Sequence, residues 1–568
     1  MFERKLILKV LMKRLILIAL AVPAFLAAIP HSFPSAGVVE REIEREYESK
    51  PFELKREIPT IEVDIPDERF SMASDVTVFI QNIEIEGNTV ITEKDIQKCI
   101  RGYCGQELTL CEIYQICACI DQLYAAKGYF LTRAYPPPQD ITDGRIVLRV
   151  LEGRIGTITI EGNQYYSTSF IYNYFKPFCH KPLQYDHFLK ALLLLNENAD
   201  LSVAVLFEKG ADACTADLIV RVYDERPIHL YLNENNYGRP LTTSAQLGGR
   251  IDWGNCFVQG DTFSLAEVVG FPLNALFLTD AIYTVPLNTQ GTYLSLGYLY
   301  SMFHIEEYKS FHLRGKSTIA TLKGTQAITR TKTLAIDLFS YFDYKQIQNF
   351  VLDQTTSFDK LRVITGGVLV DHYNSYCGRD YLNLRVAAGI PNFLGGLGPE
   401  SRKASRVGGG GRFVQFNLDY DRLQRLYTDY MLYFHVSGQW SPSKLTLPQQ
   451  LYIGGSSSVR GYPLSVALGD SGYYSNFEVR FPLPKLKDKQ FFLTNKTWGE
   501  VLQIVTFVDT GATFYNDGPS TYITGAGFGF RVIGPYTISL SFDIGFPLNH
   551  HNLSSGPYAY LKITAQPF

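Results

Sequence analysis

From about residue 228 to the C-terminus, apolar and polar residues alternate with a period of two. In YTISLSFDIGF (536–546), Tyr536, Ile538, Leu540, Phe542, Ile544 and Phe546 share one face. Thr537, Ser539, Ser541, Asp543 and Gly545 share the other. TDYMLYFHVSGQW (428–440) repeats the pattern through Tyr430, Leu432, Phe434, Val436 and Trp440. Successive side chains of a strand point to opposite faces, so each run is a strand that is apolar on one side and wet on the other. Kept up over ten or so residues and ended by aromatics, this is the lipid-out, lumen-in pattern of a transmembrane β-barrel. A water-soluble sandwich also alternates, but rarely with strands this long and so few helices. In lipid, only closure satisfies every strand edge. The C-terminal region 228–568, roughly 340 residues at roughly 20 per strand and connection, predicts about 16 antiparallel strands. The 37 Tyr, 37 Phe and 46 Gly suit aromatic girdles and many turns.

The N-terminal part reads differently. Arg4, Lys5, Lys9, Lys13 and Arg14 precede an apolar run from Leu15 to Ile29, and Ser35 and Ala36 follow. That is the order of an export signal, assigned to residues 1–36, and a start at Met12 would leave it complete. Residues 37–75 are polar and broken by prolines. VEREIEREYESK (39–50) fits a short charged helix or a disordered tail, and Pro51 to Pro66 reads as an extended linker.

Residues 76–153 carry a β-α-α-β-β order. VTVFIQNIEIEGN (76–88) reads as a strand, Thr92 with Asp95 as a weak helix cap, and Ile113, Ile116, Cys117, Ile120 and Tyr124 as one helix face. The order repeats over 154–227, opening on IGTITIEGN (155–163).

Other features narrow the chemistry. A net charge of −3 gives no argument for nucleic acid. The nine cysteines lack paired CxxC spacing, so no metal site is expected. In an exported chain, Cys179 and Cys214 of the second module are the expected disulfide. No GxSxG or HExxH motif is present, and no enzyme or cofactor is expected. RVGGGGRF (406–413) is followed by no helix and reads as a flexible loop. GAGFGF (525–530) reads as room in the lumen, and His550-His551 as solvated.

Two strings fit each other. SSVRGY (457–462) lies in a Gly/Ser-rich loop, and FVDTG (507–511) lies in a strand whose alternation turns Asp509 inward. An inward carboxylate needs a cation or water, and Arg460 on a folded-in loop would fork onto it. Gly461 would allow the tight tip, with Val459 and Tyr462 packing it.

With these pieces the chain resembles the TpsB transporters of two-partner secretion, the hemolysin secretion/activation proteins. IGGSSSVRGY resembles the family's long sixth surface loop. FVDTG, with Phe507, Asp509 and Gly511, resembles the matching strand motif. NENNYG (233–238) and QGDTF (259–263) resemble the first hairpin. Within residues 126–163, Gly128-Tyr129, Arg133, Pro138-Gln139, Gly144 and Glu152-Gly153 resemble the join between two polypeptide-transport-associated (POTRA) modules.

The resemblance implies POTRA 1 at 76–153, POTRA 2 at 154–227 and the barrel at 228–568. It implies an outer-membrane translocator with its modules in the periplasm. An unfolded exoprotein would dock on the modules, cross the barrel without nucleotide hydrolysis and fold outside into a β-helix. It also implies a plug helix at Glu40–Lys50. Phe568 resembles the terminal aromatic read by barrel-insertion machinery. The rival readings are a barrel-assembly factor, which would carry more modules, and a passive porin, which would need none.

Overall fold

The computed structural model describes Ala36, Val38, residues 59–64 and residues 77–567, apart from 142, 213, 240–241, 244, 274, 306–311, 428, 493–494, 535–536, 550–552 and 554–555. The rest of the export signal, the charged segment 39–50 and Phe568 lie outside the described residues.

Among the described residues, sixteen strands close into one antiparallel barrel, from Ile228–Asn235 to Tyr558–Ala565. The last strand pairs with the first, Leu232 opposite Ala565 and Asn235 opposite Lys562. The alternation in the sequence sets the two faces. In Tyr430–Trp440, Trp440 is 56% exposed on the outer wall, whereas Ser437 and Gln439 are buried on the inner one. Strands Arg314–Arg330, Leu334–Val351 and Gln354–Asn374 run 17, 18 and 21 residues. A tilted strand needs only about 9–11 residues to cross a bilayer, so these three stand out of it. No described helix is long and apolar enough to cross a membrane.

Between Tyr430–Trp440 and Ser471–Pro482 the chain leaves the wall. Residues 441–470 carry a small hairpin of their own, Leu451–Ile453 against Ala467–Gly469. This segment is held inside the barrel.

The first module packs helices α1 (Glu93–Ile100) and α2 (Leu110–Ala126) on a three-stranded sheet. Its central strand, Arg145–Leu151, pairs in parallel with Asn82–Glu86 and antiparallel with Arg133–Tyr135. The segment 76–88 is two strands, not one. The Gly144 carbonyl takes the N–H groups of both Gln81 and Asn82, which breaks the ladder there. Thr77–Ile80 then pairs with an additional strand, Gln106–Thr109. The Thr92 hydroxyl donates to the Asp95 carboxylate in the first turn of α1 at 3.2 Å, but its side chain caps no backbone N–H there. The capping box sits instead on α2, where Thr109 and Glu112 satisfy each other's backbone N–H. Ile113, Ile116, Cys117, Ile120 and Tyr124 form the buried face of α2. Cys99 of α1 and Cys119 of α2 are joined by a disulfide.

The second module packs α3 (Thr168–Phe175) and α4 (Tyr185–Leu195) on a four-stranded sheet. Its core gathers Phe175, Phe188, Leu192 and Phe207. The expected Cys179–Cys214 disulfide is absent, and both thiols are free. The reason is geometric. Cys214 offers its carbonyl to Arg154 N–H, while Cys179 bridges Ile155 from the other side. The strand Arg154–Glu161 lies between them, a separation of roughly two strand spacings, about 10 Å, beyond the ~7 Å a disulfide spans.

The fourth strand of this sheet is Ile61–Asp64, from the stretch read as linker. It pairs in parallel with Leu201–Lys209, Ile61 opposite Val205 and Asp64 opposite Glu208. The module seats on the barrel end through Ser167 N–H on Gln259 (2.8 Å), Lys190 on the Ile328 carbonyl (3.0 Å) and Glu197 on Arg330.

Candidate functional site

Arg460 stands at the tip of the inserted segment, 3% exposed. Its Nε donates to Asp509 Oδ2 at 2.7 Å and its Nη2 to Asp509 Oδ1 at 2.9 Å, a fork on one carboxylate. The Arg460 backbone N–H adds a third bond to Asp509, at 3.1 Å. Nη1 turns the other way, to Glu478 at 2.7 Å and Asp543 at 3.2 Å. The guanidinium lies 3.4 Å from the centre of the Phe507 ring, so the ring covers the face of the cation.

These groups come from separate strands: Glu478 from Ser471–Pro482, Phe507 and Asp509 from Leu502–Phe514, and Asp543 from Ser539–Pro547. Three carboxylates around one cation would repel each other. Arg480 answers Glu478 at 2.8 Å, and Arg531 answers Asp543 at 2.6 and 2.9 Å. Three acids therefore face three arginines. A buried ion pair holds only when all of its charges and hydrogen bonds are met, and here they are.

The tip fits because the wall beneath it is bare. A Cβ on Gly525 would stand 1.9 Å from the Arg460 carbonyl, and one on Gly545 2.5 Å from the Gly461 nitrogen. Gly461 itself has φ +98°, a conformation that side chains disfavour. Its N–H donates to the Tyr560 hydroxyl at 3.2 Å, and that hydroxyl donates to the Tyr462 carbonyl at 3.0 Å. Tyr462 reaches the Thr524 carbonyl at 3.0 Å. Val459 packs with Leu451, Ile453, Tyr474 and Ile523, close against Gly511.

The sequence pointed to Arg460, Asp509 and their flanks, which the fold brings together. It did not single out Glu478, Asp543, Arg480, Arg531 or Tyr560. Alternation puts Asp543 on the lumen face, and that face is the available signal.

The residues of the module join do not form one surface. Gly128, φ +88°, ends α2, and its carbonyl takes Tyr185 N–H at the start of α4. Tyr129 packs its edge on Tyr124. Arg133 opens a strand, and Pro138 precedes Gln139, whose side-chain amide pairs both ways with Val147, at 2.8 Å each. Gly144 supplies the carbonyl that splits the strand at Gln81 and Asn82. Glu152 is buried and takes Thr89 N–H at 2.6 Å, Val90 N–H at 2.9 Å and the Tyr124 hydroxyl at 3.0 Å. A Cβ on Gly153 would collide with Leu131 at 2.4 Å. These positions build the first module and hinge it to the second.

One piece of the N-terminal segment is also in the lumen. Ala36, read as the end of the export signal, is buried among Leu299, Phe303 and Leu313, and its N–H donates to Asn349 at 2.9 Å. Among the described residues no cluster of metal-ligating side chains occurs.

Comparison with known proteins agrees with this architecture. Residues 215–532 match the family described as haemolysin secretion/activation protein ShlB/FhaC/HecB, and residues 78–153 match the ShlB-type POTRA domain. The chain is 20% identical over 490 residues to the heme/hemopexin transporter protein HuxB of Haemophilus influenzae, covering 83% of each. It is 22% identical over 485 residues to the outer membrane transporter CdiB of Escherichia coli, covering 83% of this chain and 79% of that one. The solved structure of CdiB from Escherichia coli superposes with a TM-score of 0.73 at 19% identity, over 94% of this chain and 99% of that one. The family match spans more than half of the chain, so the protein belongs to the haemolysin secretion/activation family of TpsB transporters, non-enzymatic outer-membrane β-barrels for exoproteins whose POTRA domains lie in the periplasm.

Proposed function

We propose that this transporter captures an unfolded exoprotein by strand addition to its second POTRA sheet and passes it through the barrel without nucleotide hydrolysis. The observation that carries this reading is the parallel pairing of Ile61–Asp64 with Leu201–Lys209. An edge that binds a short extended segment of its own chain has the geometry to bind another, since strand addition rests on main-chain hydrogen bonds. The guest would displace Ile61–Asp64 and enter the barrel, and the loop carrying Arg460 and the segment holding Ala36 would shift to admit it. The segment 39–50 serves as the resting plug. Outside, progressive folding of the guest into a β-helix buries surface and opposes return. Insertion machinery reading Phe568 places the barrel among outer-membrane lipids.

The test is co-expression with a large exoprotein encoded beside this chain. Photo-crosslinkers are placed at Ser202, on the same edge strand just before the stretch Val205–Glu208 that Ile61–Asp64 occupies, and at Thr159 on the opposite edge strand. Deleting 59–64 should raise the crosslinking yield at position 202 roughly tenfold, as a competing strand is removed. Export should depend on both modules. If crosslinks form only at position 159, or if the exoprotein leaves cells lacking residues 77–227, the reading fails. Ion conduction alone that persists without the modules would favour the porin.

A further inference from the structure

The segment RVGGGGRF, read from sequence as flexible, is tightly built. Gly408 has φ +79°, and a Cβ on Gly410 would stand 2.1 Å from the Pro399 carbonyl. This folding delivers Arg406 to the base of the inserted loop. Its Nη1 pairs with Asp470 Oδ1, its Nη2 meets Asp517 at 2.5 Å, and its guanidinium stands over Tyr515 at 4.8 Å. Asp470 is fully buried. It also takes Leu445 N–H at 2.8 Å and Asn516 N–H at 3.0 Å. Leu445 lies near the start of the inserted loop and Asp470 ends it, so one carboxylate pinches it shut. Leu445 is sunk in an apolar cluster with Leu397, Phe413 and Ala404 of the neighbouring loop, and Leu447 N–H bonds Ser405 Oγ at 3.0 Å. Lys444 completes the clasp on Asp517 at 2.8 Å.

We infer that Arg406 is a positioning residue for Arg460. It fixes the base of the inserted loop from the extracellular rim, and the tip then stays in its cage. The inserted loop therefore has two anchors, ten residues apart along its returning leg, Arg460 held by strands of the barrel wall and Asp470 by neighbouring surface loops. Without Arg406, the buried Asp470 carboxylate keeps only backbone donors and must hydrate. Hydration opens the pinch between Leu445 and Asp470, and the tip loses its fixed starting point.

The Arg460–Gly461 bond is itself the reporter, because trypsin cuts after arginine and cannot reach a buried one. Cells carrying the full chain are treated with external trypsin, and fragments ending at Arg460 are followed by mass. Asp509→Asn, which removes the carboxylate charge from the cage, calibrates the freed tip. Arg406→Gln should speed this cut by about tenfold or more, since cleavage tracks the population of the open form. Arg406→Lys should fall between. Heat-dependent gel mobility verifies the closed barrel. Should Arg406→Gln fail to insert, Asp470→Asn is read the same way. A cleavage rate equal to the parent's in the inserted variant overturns the inference. The inference rests on the docked loop of the proposed function, but the two fail separately. Unchanged cleavage removes the second anchor whatever secretion does, whereas faster cleavage with normal secretion keeps the anchor and removes the loop's role in export.

Discussion

The chemistry of the lock is decided by one side chain. Arg460 makes two parallel bonds to Asp509 and sends a third nitrogen to Glu478 and Asp543. Lysine keeps the charge but not the fork. Arg460→Lys should therefore lose most export, at least about tenfold, with the barrel still closed, because leaving a buried charge partly unmet costs about 3–5 kcal/mol. Extracellular exoprotein measured beside heat-dependent gel mobility checks this, and full export by an inserted Arg460→Lys protein would refute it. Gly525→Val should have the same effect for a steric reason, since its side chain would occupy the place of the Arg460 carbonyl. Asp509 was legible because alternation turned it inward and the loop string supplied its cation. Glu478 and Asp543 were not, because each is one of many inward polar residues. Strand register selects them: Glu478 stands opposite Phe507, Asp509 opposite Gly525, and Gly529 opposite Asp543.

At the scale of elements, the first module rests on a helix-to-helix staple and a buried acid. The Cys99–Cys119 disulfide closes a loop of 20 residues, which stabilises by about 3 kcal/mol in the chain-entropy account. Cys99→Ser should lower the module's unfolding free energy in denaturant titrations by about that amount, whereas Cys179→Ser should leave the second module nearly unchanged. Equal effects would contradict the pairing. Burial pushes the Glu152 carboxyl upward, but its bonds from Thr89 and Val90 outweigh this and hold it below its ordinary 4.5. A depressed folded value means that the contribution is complete above about 4.5 and is lost as pH falls through the folded value. The first module should therefore lose stability on acidification below about 4.5, and Glu152→Gln should flatten that slope in denaturant titrations at stepped pH. The disulfide was hidden in the sequence because five cysteines crowd residues 99–119, and helix phase alone does not say which α1 side chain meets which on α2.

Across the whole molecule, the second module and the barrel are joined by a small polar set around Arg330, which reaches Glu197 of the module and Asp337 of the next strand at 2.7 Å. Arg330→Ala should free the modules to swing without opening the barrel. Faster proteolysis near residue 226 at unchanged gel mobility would support this, and protection equal to the parent's would refute it. On the proposed route a guest would need such a hinge, because the proposed docking edge and the pore belong to different bodies.

Local chemistry was enough to settle much of this protein. A period of two written over the C-terminal 340 or so residues, with no apolar helix-length run, admits in lipid only a closed barrel of about this many strands. The repeated module order and the loop and strand motifs followed from the same near-neighbour information. What lay beyond it were the contacts between segments far apart in the chain: Ile61–Asp64 on Leu201–Lys209, Arg406 on Asp470, and the acids converging on Arg460. Those depend on shear, register and loop path, which are properties of the closed barrel and the packed modules rather than of any stretch of residues.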